Sequence, residues 1–374
     1  MSLDGSVRVP FVALDLAQRQ LKPELMEAVG RVIDSGQYIL GGEVERFERS
    51  FAALCQTPFA IGVSNGTCAL TLALRALGIG AGDEVVTAPN SFLASAASIA
   101  LAGARPVFAD VRDDLNLDPD AVEAALTPRT RAIMPVHLTG RPAAMDRLGA
   151  IARRHGLAIV EDAAQAVGAR LHGRPVGSFG AIGCFSLHPL KNLGALGDAG
   201  AVTTADPDLA ARLAIDRNHG LRGRDAAEHW SYNARLDAIQ AAILNVKLPH
   251  LPRWTAEKQR LALRYRDGLR DVVRVPEDAP GQECVYATFV IRADCRDDLQ
   301  RHLGARGIDT KIHYATPIHL QEAAAELGYR KGDFPVTERL ANEILSLPIY
   351  PGLSEAQQEA VIMAIRSFYT ESAA

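Results

Sequence analysis

One lysine, one acid and a few hydroxyl and glycine positions stand out in this chain, because their types and spacing suit covalent chemistry. Lys191 lies at the centre of residues 183–202, GCFSLHPLKNLGALGDAGAV. The chain has six lysines: Lys22, Lys191, Lys247, Lys258, Lys311 and Lys331. Between Pro23 and Val246 every permanently cationic side chain other than Lys191 is arginine. Arginine stays protonated, whereas a lysine amine can shed its proton and attack a carbonyl carbon. Ser186, five residues earlier, offers a hydroxyl to an anion. Gly194, Gly197 and Gly200 let the backbone pass close to a bound group.

Other positions answer to the same chemistry. Ser64-Asn65-Gly66-Thr67 follows an apolar run and opens a helical pattern, so the Gly66 and Thr67 amides and the Thr67 hydroxyl suit a phosphate. Phe92 follows the strand pattern 84–88 and offers a flat apolar cover for a ring. Asp162 follows the apolar run 157–160 and could pair with a protonated ring nitrogen, while Glu161 alternates to the other face. Gln165, three residues on, could hydrogen-bond a ring oxygen. Each position also has an ordinary reading: a helix cap, a core aromatic, a pair of turn acids, a solvated lysine. Phosphate donors, ring cover, acid and lysine at strand ends of one chain point together to pyridoxal phosphate (PLP) held as a Schiff base on Lys191.

The elements that must position these groups read as an alternation. Strand patterns at 60–63, 84–88, 106–109, 132–136, 158–161, 182–186 and 201–204 are separated by helical patterns at 66–77, 91–102, 120–126 and 143–155. That order predicts an α/β domain with a mainly parallel sheet, whose ligands sit beyond the strand C-termini. Helices are expected earlier, at 23–34 and 43–54, and later, at 208–217 and 236–248. Pro249 to Pro252 interrupts the pattern, so the expected division is a large α/β domain over 1–248 and a smaller α+β domain over 249–374. In the latter, helices are expected at 256–269, 297–306, 336–345 and 355–368, with strands at 288–292 and near 309–313.

The bulk numbers agree with this size and class. The chain has 374 residues, 48% of them hydrophobic and 22% charged, with a formal net charge of -4. Mild acidity argues against nucleic acid as the main partner. The five cysteines, an odd number, have no zinc-ligand spacing, so reduced thiols, no metal and a cytoplasmic location are expected. No signal peptide is read at the start and no membrane span anywhere, since the most apolar stretch, 92–104, is short and broken by serines.

The chain resembles the PLP-dependent sugar aminotransferases of the DegT/StrS type, within the fold-type I aspartate aminotransferase superfamily. The resemblance runs over nearly the whole length through SGQYILGGEVERFE, VSNGTCALTLALRALGIGAGDEV, VEDAAQAVGA, FSLHPLKNLGALGDAGAV, YNARLDAIQAAIL, KIHY and ILSLPIYP. It implies that Lys191 is the Schiff-base lysine and Asp162 the ring-nitrogen partner. It implies Gln165 on the ring hydroxyl, Phe92 on the ring face, and Gly66, Thr67 and Ser186 on the phosphate. Asn233 would reach the phosphate site of a neighbouring subunit in a homodimer. His313, Tyr314 and His319 lie in a segment that faces substrate in this family; His137, at a strand end, is read as near the cofactor. His188 is read as packing. Cys68, Thr139 and Ala287 depart from the common pattern and leave the substrate open. Dehydratase relatives carry histidine in place of the lysine, so Lys191 favours transamination. The implied reaction moves an amino group from L-glutamate to a nucleotide-linked keto-deoxysugar. Arg222 or Arg224, in a glycine-bearing loop, would serve the glutamate carboxylates. A keto-cyclitol aminotransferase and a PLP-binding regulatory protein without turnover are the alternatives.

Overall fold

A computed structural model describes residues 8–371. Twelve strands and twelve helices follow one another. The first half runs α1 (Leu14–Ser35), α2 (Gly42–Cys55), β1 (Phe59–Val63), α3 (Gly66–Ala76), β2 (Glu84–Thr87), α4 (Ala94–Leu101), β3 (Arg105–Phe108), α5 (Pro119–Ala124), β4 (Thr130–Met134), α6 (Met145–His155) and β5 (Ala158–Asp162). A small ribbon, β6 (Arg170–Leu171) and β7 (Arg174–Pro175), precedes β8 (Ile182–Ser186), β9 (Gly200–Thr204), α7 (Pro207–Asp216) and α8 (Ala238–Lys247). The remainder is α9 (Leu251–Leu269), β10 (Gln282–Glu283), β11 (Phe289–Arg292), α10 (Arg296–Ala305), α11 (Pro335–Glu343), β12 (Ile344–Leu347) and α12 (Glu355–Glu371).

Seven strands form the main sheet in the order β1-β9-β8-β5-β4-β2-β3. β9 pairs antiparallel with both β1 and β8, and the other pairings are parallel, so β9 alone runs against the rest. These strands are apolar along their length because helices cover both faces. Leu70, Leu74 and Ile99 from α3 and α4 pack on Val85, Val160 and Ile182. Leu148 and Ile151 from α6 pack with Val86, Ile133 and Ile159. Phe47 and Phe51 from α2 and Leu244 from α8 enclose Phe185. Short polar caps start α3 and α7: the Asn65 side chain accepts from the Cys68 amide, and Asp206 accepts from the Asp208 and Leu209 amides just after Pro207 enters α7.

The C-terminal part has its own core, in which Leu261, Tyr265 and Ile362 from α9 and α12 meet Phe289, Leu345 and Leu347 from the β11–β12 pair. Val9 belongs to this cluster, bridged to Ile308. The two parts are tied at Asp110, whose carboxylate accepts from the amides of Val336 and Thr337 and from the Thr337 hydroxyl.

Four local expectations are corrected. α1 begins at Leu14, nine residues before Pro23, because Leu21, Leu25, Ala28 and Val32 form one stripe buried against α8 and its neighbours. α4 begins at Ala94, leaving Phe92 in the loop before it. The segment near 309–313 makes only isolated bridges, to Val9 through Ile308 and to Ser346 through Lys311. The helix expected to Leu345 ends at Glu343, and Ile344–Leu347 instead pairs with β11, where a continuous apolar run is buried in a sheet.

Candidate active site

The groups singled out by type converge at one edge of the main sheet, beyond the C-terminal ends of β1, β2, β5 and β8. Gly66 opens α3 directly after β1, and Ser186 ends β8. A methyl group added at Gly66 would lie 2.8 Å from the Ser186 Cβ, so glycine is required for the two to meet. A similar close approach holds β9 against the start of α3, since a Cβ at Gly200 would lie 2.6 Å from the Asn65 carbonyl. The Asn65 cap engages the Cys68 amide, at 2.8 Å. The Gly66 and Thr67 amides precede it in the first turn, where a helix has no internal acceptor. Together with the nearby Ser186 hydroxyl they present the donor chemistry that a phosphate needs.

Asp162 is 4% exposed at the end of β5. Its two oxygens are held separately: the Ser95 hydroxyl donates to Oδ2 at 2.7 Å and the Ala164 amide to Oδ1 at 3.1 Å. The Ser91 and Ser95 hydroxyls are 2.5 Å apart. These bonds fix the position of both carboxylate oxygens. Burial pulls the Lys191 amine below the usual lysine range, and Asp162 only partly opposes that shift. A less basic amine reaches its neutral, nucleophilic form more readily than an ordinary lysine does.

Gln165 is oriented by its neighbours. Its Oε1 accepts from the Thr139 amide at 2.8 Å, which leaves Nε2 as a donor 3.4 Å from the Tyr314 hydroxyl. Burial pushes the Tyr314 phenol up to about 12, with the Asp162 charge adding to it, so the hydroxyl keeps its proton. Phe92 is 51% exposed, its ring 5.7 Å from that of Tyr314. His313 Nδ1 lies 2.8 Å from the Ser346 hydroxyl. Burial pulls His313 down to about 4, with Lys191 and Lys311 contributing, so the ring is neutral.

The other expected residues lie elsewhere or meet different partners. The His319 side chain is fully enclosed, 3.0 Å from Glu338 and edge-on to Phe334. Asn233 is exposed on the strand-like segment that bridges Asn218 and passes Ser64, whose amide bonds the Ala234 carbonyl. Arg222 pairs with Glu228 inside its own hairpin, which carries the exposed Trp230. His137 is buried between Glu161 and the Ala143 amide, each at 3.0 Å. Glu161, on the opposite side of β5 from Asp162, also accepts the amides of Gly177, Phe179 and Gly180. His188, expected to pack, is exposed and turns its Nδ1 to the Leu190 amide.

Sequence reasoning passed over Ser91 and Ser95. The available signal was their four-residue spacing in a stretch otherwise apolar enough to be buried, since a buried hydroxyl needs a partner. It also passed over Asn192, Lys247 and Lys258, whose lysine identity in an arginine-rich chain was a signal left unused.

A sheet edge with an amine of reduced basicity, a fixed carboxylate and a cluster of amide and hydroxyl donors has the groups that pyridoxal phosphate chemistry uses. The model of the DegT/DnrJ/EryC1/StrS aminotransferase family matches residues 19–366. A Streptomyces venezuelae protein named dTDP-3-amino-3,4,6-trideoxy-alpha-D-glucose transaminase is 48% identical over 364 residues, 96% of each chain. A Geobacillus stearothermophilus protein named pleiotropic regulatory protein is 44% identical over 368 residues, 97% of this chain and 99% of the relative. The crystal structure of S. venezuelae DesV in complex with a ketimine intermediate matches with a TM-score of 0.95 at 48% identity, covering 96% of this chain and 98% of that one. The structure of NtdA from Bacillus subtilis with bound cofactor PMP matches with a TM-score of 0.90 at 27% identity, covering 97% and 85%. The chain belongs to the DegT/DnrJ/EryC1/StrS aminotransferase family. It is a PLP-dependent aminotransferase.

Proposed function

We propose that this aminotransferase moves the amino group of L-glutamate to the ketone of a nucleotide-linked 3- or 4-keto-deoxysugar, giving an aminosugar. The observation that carries this reading is the 48% identity, over 96% of both chains, to a relative named as a dTDP-aminosugar transaminase. The substrate-side segment 311–320 supports it. Amino-acid aminotransferases typically grip an α-carboxylate with a bidentate arginine, whereas this segment offers Lys311, His313 and Tyr314 and no arginine, its His319 being enclosed against Glu338. Hydroxyls and a diphosphate suit those groups better. Arg222, released from Glu228, or Arg224 would serve the glutamate carboxylates.

Pyridoxal phosphate, when bound, supplies an electron-accepting ring that stabilises negative charge at the substrate carbon. The chain's own residues do the rest. The Lys191 amine would hold the cofactor and, once freed by the amino donor, would carry the proton taken from the donor Cα. The Asp162 carboxylate would pair with the ring nitrogen. Gln165 Nε2 would donate to the ring hydroxyl. Phe92 and Tyr314 would cover the ring, and the Gly66, Thr67 and Ser186 donors would hold the phosphate. Asn233 completes that phosphate site in a second subunit. The homodimer this requires draws support from apolar side chains left half-exposed beside the site: Phe92, Leu93, Leu190 and Leu196. We take the large PLP-binding unit to run to residue 248 and the small unit from 249, and place the protein in the cytoplasm, in keeping with its five free cysteines.

The test is turnover by the amine-loaded enzyme. A dTDP- or UDP-linked 3- or 4-keto-6-deoxyhexose should react much faster than pyruvate or oxaloacetate; faster reaction with the keto acids would remove the sugar assignment. A keto-cyclitol belongs in the same panel. A second reading, PLP binding without turnover, is favoured by the name of the Geobacillus relative. It predicts cofactor binding with no amine transfer to any acceptor.

A further inference from the structure

Three of the six lysines line one cleft of about 100 Å³, and only one of them is Lys191. The other two are Lys247, at the end of α8, and Lys258, in α9, and the lining of this cleft includes none of Gly66, Thr67 and Ser186. Lys247 Nζ donates to the Gly194 carbonyl at 2.6 Å. Lys258 Nζ donates to Asn192 Oδ1 at 2.8 Å and to the Tyr286 carbonyl at 3.2 Å. Asn192 Nδ2 donates in turn to the Val285 carbonyl at 2.9 Å. The residues that follow Lys191 are therefore tied from two helices, and through Lys258 and Asn192 to the 285–286 segment as well.

Both ammonium groups are expensive to keep where they are. Lys247 is 3% exposed and Lys258 is 7% exposed. Among the described residues neither makes an ion pair with a carboxylate. Burial alone pulls each amine down to about 8. An apolar side chain of the same length would relieve that cost, so packing does not account for lysine at either position. Hydrogen bonding to the loop does. A lysine amine keeps N–H donors in both protonation states, so these contacts survive titration near pH 8. A guanidinium is larger, stays charged and would need a wider cleft.

We propose that Lys247 and Lys258 are positioning residues. They hold the 191–194 loop at a fixed depth, so that the Lys191 amine is presented to the cofactor at one distance and angle. Lys258 also couples that loop to the segment leading into β11. The inference rests on the reading of Lys191 as the Schiff-base lysine.

The experiment follows covalent loading of apoprotein with PLP by visible absorbance, in wild type, Lys258→Met, Lys247→Met and Asn192→Ser. Methionine keeps the stem and removes the donor. Losing the fixed geometry should slow adduct formation about tenfold, since orientation is a large part of such rates. The pH midpoint of the adduct's absorbance change should also move, because a Lys191 nitrogen no longer held in place sits differently relative to the Asp162 charge that acts on it. Melting of the apoprotein should be unchanged or higher in the methionine variants, which a purely structural role does not predict. Lys258→Met combined with Asn192→Ser should slow loading by less than the product of the two single effects, because the Lys258–Asn192 bond is lost in both. If a methionine variant misfolds, Asn192→Ser still removes the Lys258 contact with both lysines in place. Wild-type loading rate and midpoint in Lys258→Met and Asn192→Ser would overturn the proposal and leave the role of Lys191 standing. Borohydride fixing the cofactor to another lysine in wild type would overturn the functional reading, and this inference with it.

Discussion

Asp162 and Asn233 are offered to the same cofactor from opposite conditions. Asp162 ends a central strand, is buried, and has each oxygen held by a named donor. Asn233 is exposed on an outer segment at the sheet's β1 edge. The acid comes with its geometry already fixed by the fold of one chain. The amide lies on a surface where apolar side chains such as Trp230, 90% exposed, are left uncovered. On the proposed reading, one half of the site is a product of the sheet, and the other half would come from a second subunit. Each variant below strikes one side of that comparison.

The largest effect is expected at the fixed acid. In Asp162→Asn the Ala164 amide still finds an oxygen, and the Ser95 hydroxyl can turn to accept from the new amide nitrogen. The fold and cofactor binding should survive. Transamination should fall by about 10² to 10³, the scale of removing one well-placed electrostatic partner. Single-turnover rates check this, and near wild-type rates would take Asp162 out of the chemistry.

Gly66→Ala strikes the phosphate donors. Its new Cβ would sit 2.8 Å from the Ser186 Cβ, and overpacking of this kind costs about 1–3 kcal/mol. The PLP dissociation constant should rise by about one order of magnitude or more, as read by fluorescence titration of the apoprotein. Unchanged affinity would mean that the phosphate binds elsewhere.

The exposed half is tested by mixing. Lys191→Ala protomers combined with a severely impaired Asn233 variant should regain partial activity, since each hybrid dimer contains one intact site. Exchange of subunits without any recovery would place Asn233 in its own chain's site.

The smallest effect is a pH dependence. Folded His313 takes up its proton near pH 4, whereas an unfolded histidine does so near 6.5. The stability gained by keeping it neutral is complete above pH 6.5 and is lost as pH falls towards 4. His313→Gln apoprotein should therefore lose less stability across that window than wild type, measured by denaturant melts. Parallel acid limbs in the two proteins would contradict the burial argument.

How much of this was legible in the sequence follows the same division. The strands stood out because both faces are buried, so each reads as an apolar run, and Asp162 and Ser186 mark where two of those runs end. The Gly66 position was legible because a strand-to-helix turn with an Asn cap has a recognisable order. The start of α1 was not, since Pro23 reads as a helix beginning while tertiary packing carries the helix through it. β12 was hidden for a related reason: a short apolar run after a helix continues the helical pattern until a partner strand is known. The hydroxyl of Ser95 and the amines of Lys247 and Lys258 meet partners 67, 53 and 66 positions away in sequence, a relation that no spacing rule encodes. Enclosure of His319 against Phe334 belongs to the same class.

The central claim is that Lys191 carries the cofactor, and reduction followed by peptide mapping addresses it directly. Borohydride treatment of the PLP-loaded protein should fix one pyridoxyl group per chain on the peptide containing Lys191, and Lys191→Ala should show no reducible adduct. A pyridoxyl group on Lys247, Lys258 or any other lysine of the untreated sequence, or an adduct of wild-type yield in Lys191→Ala, would contradict the account.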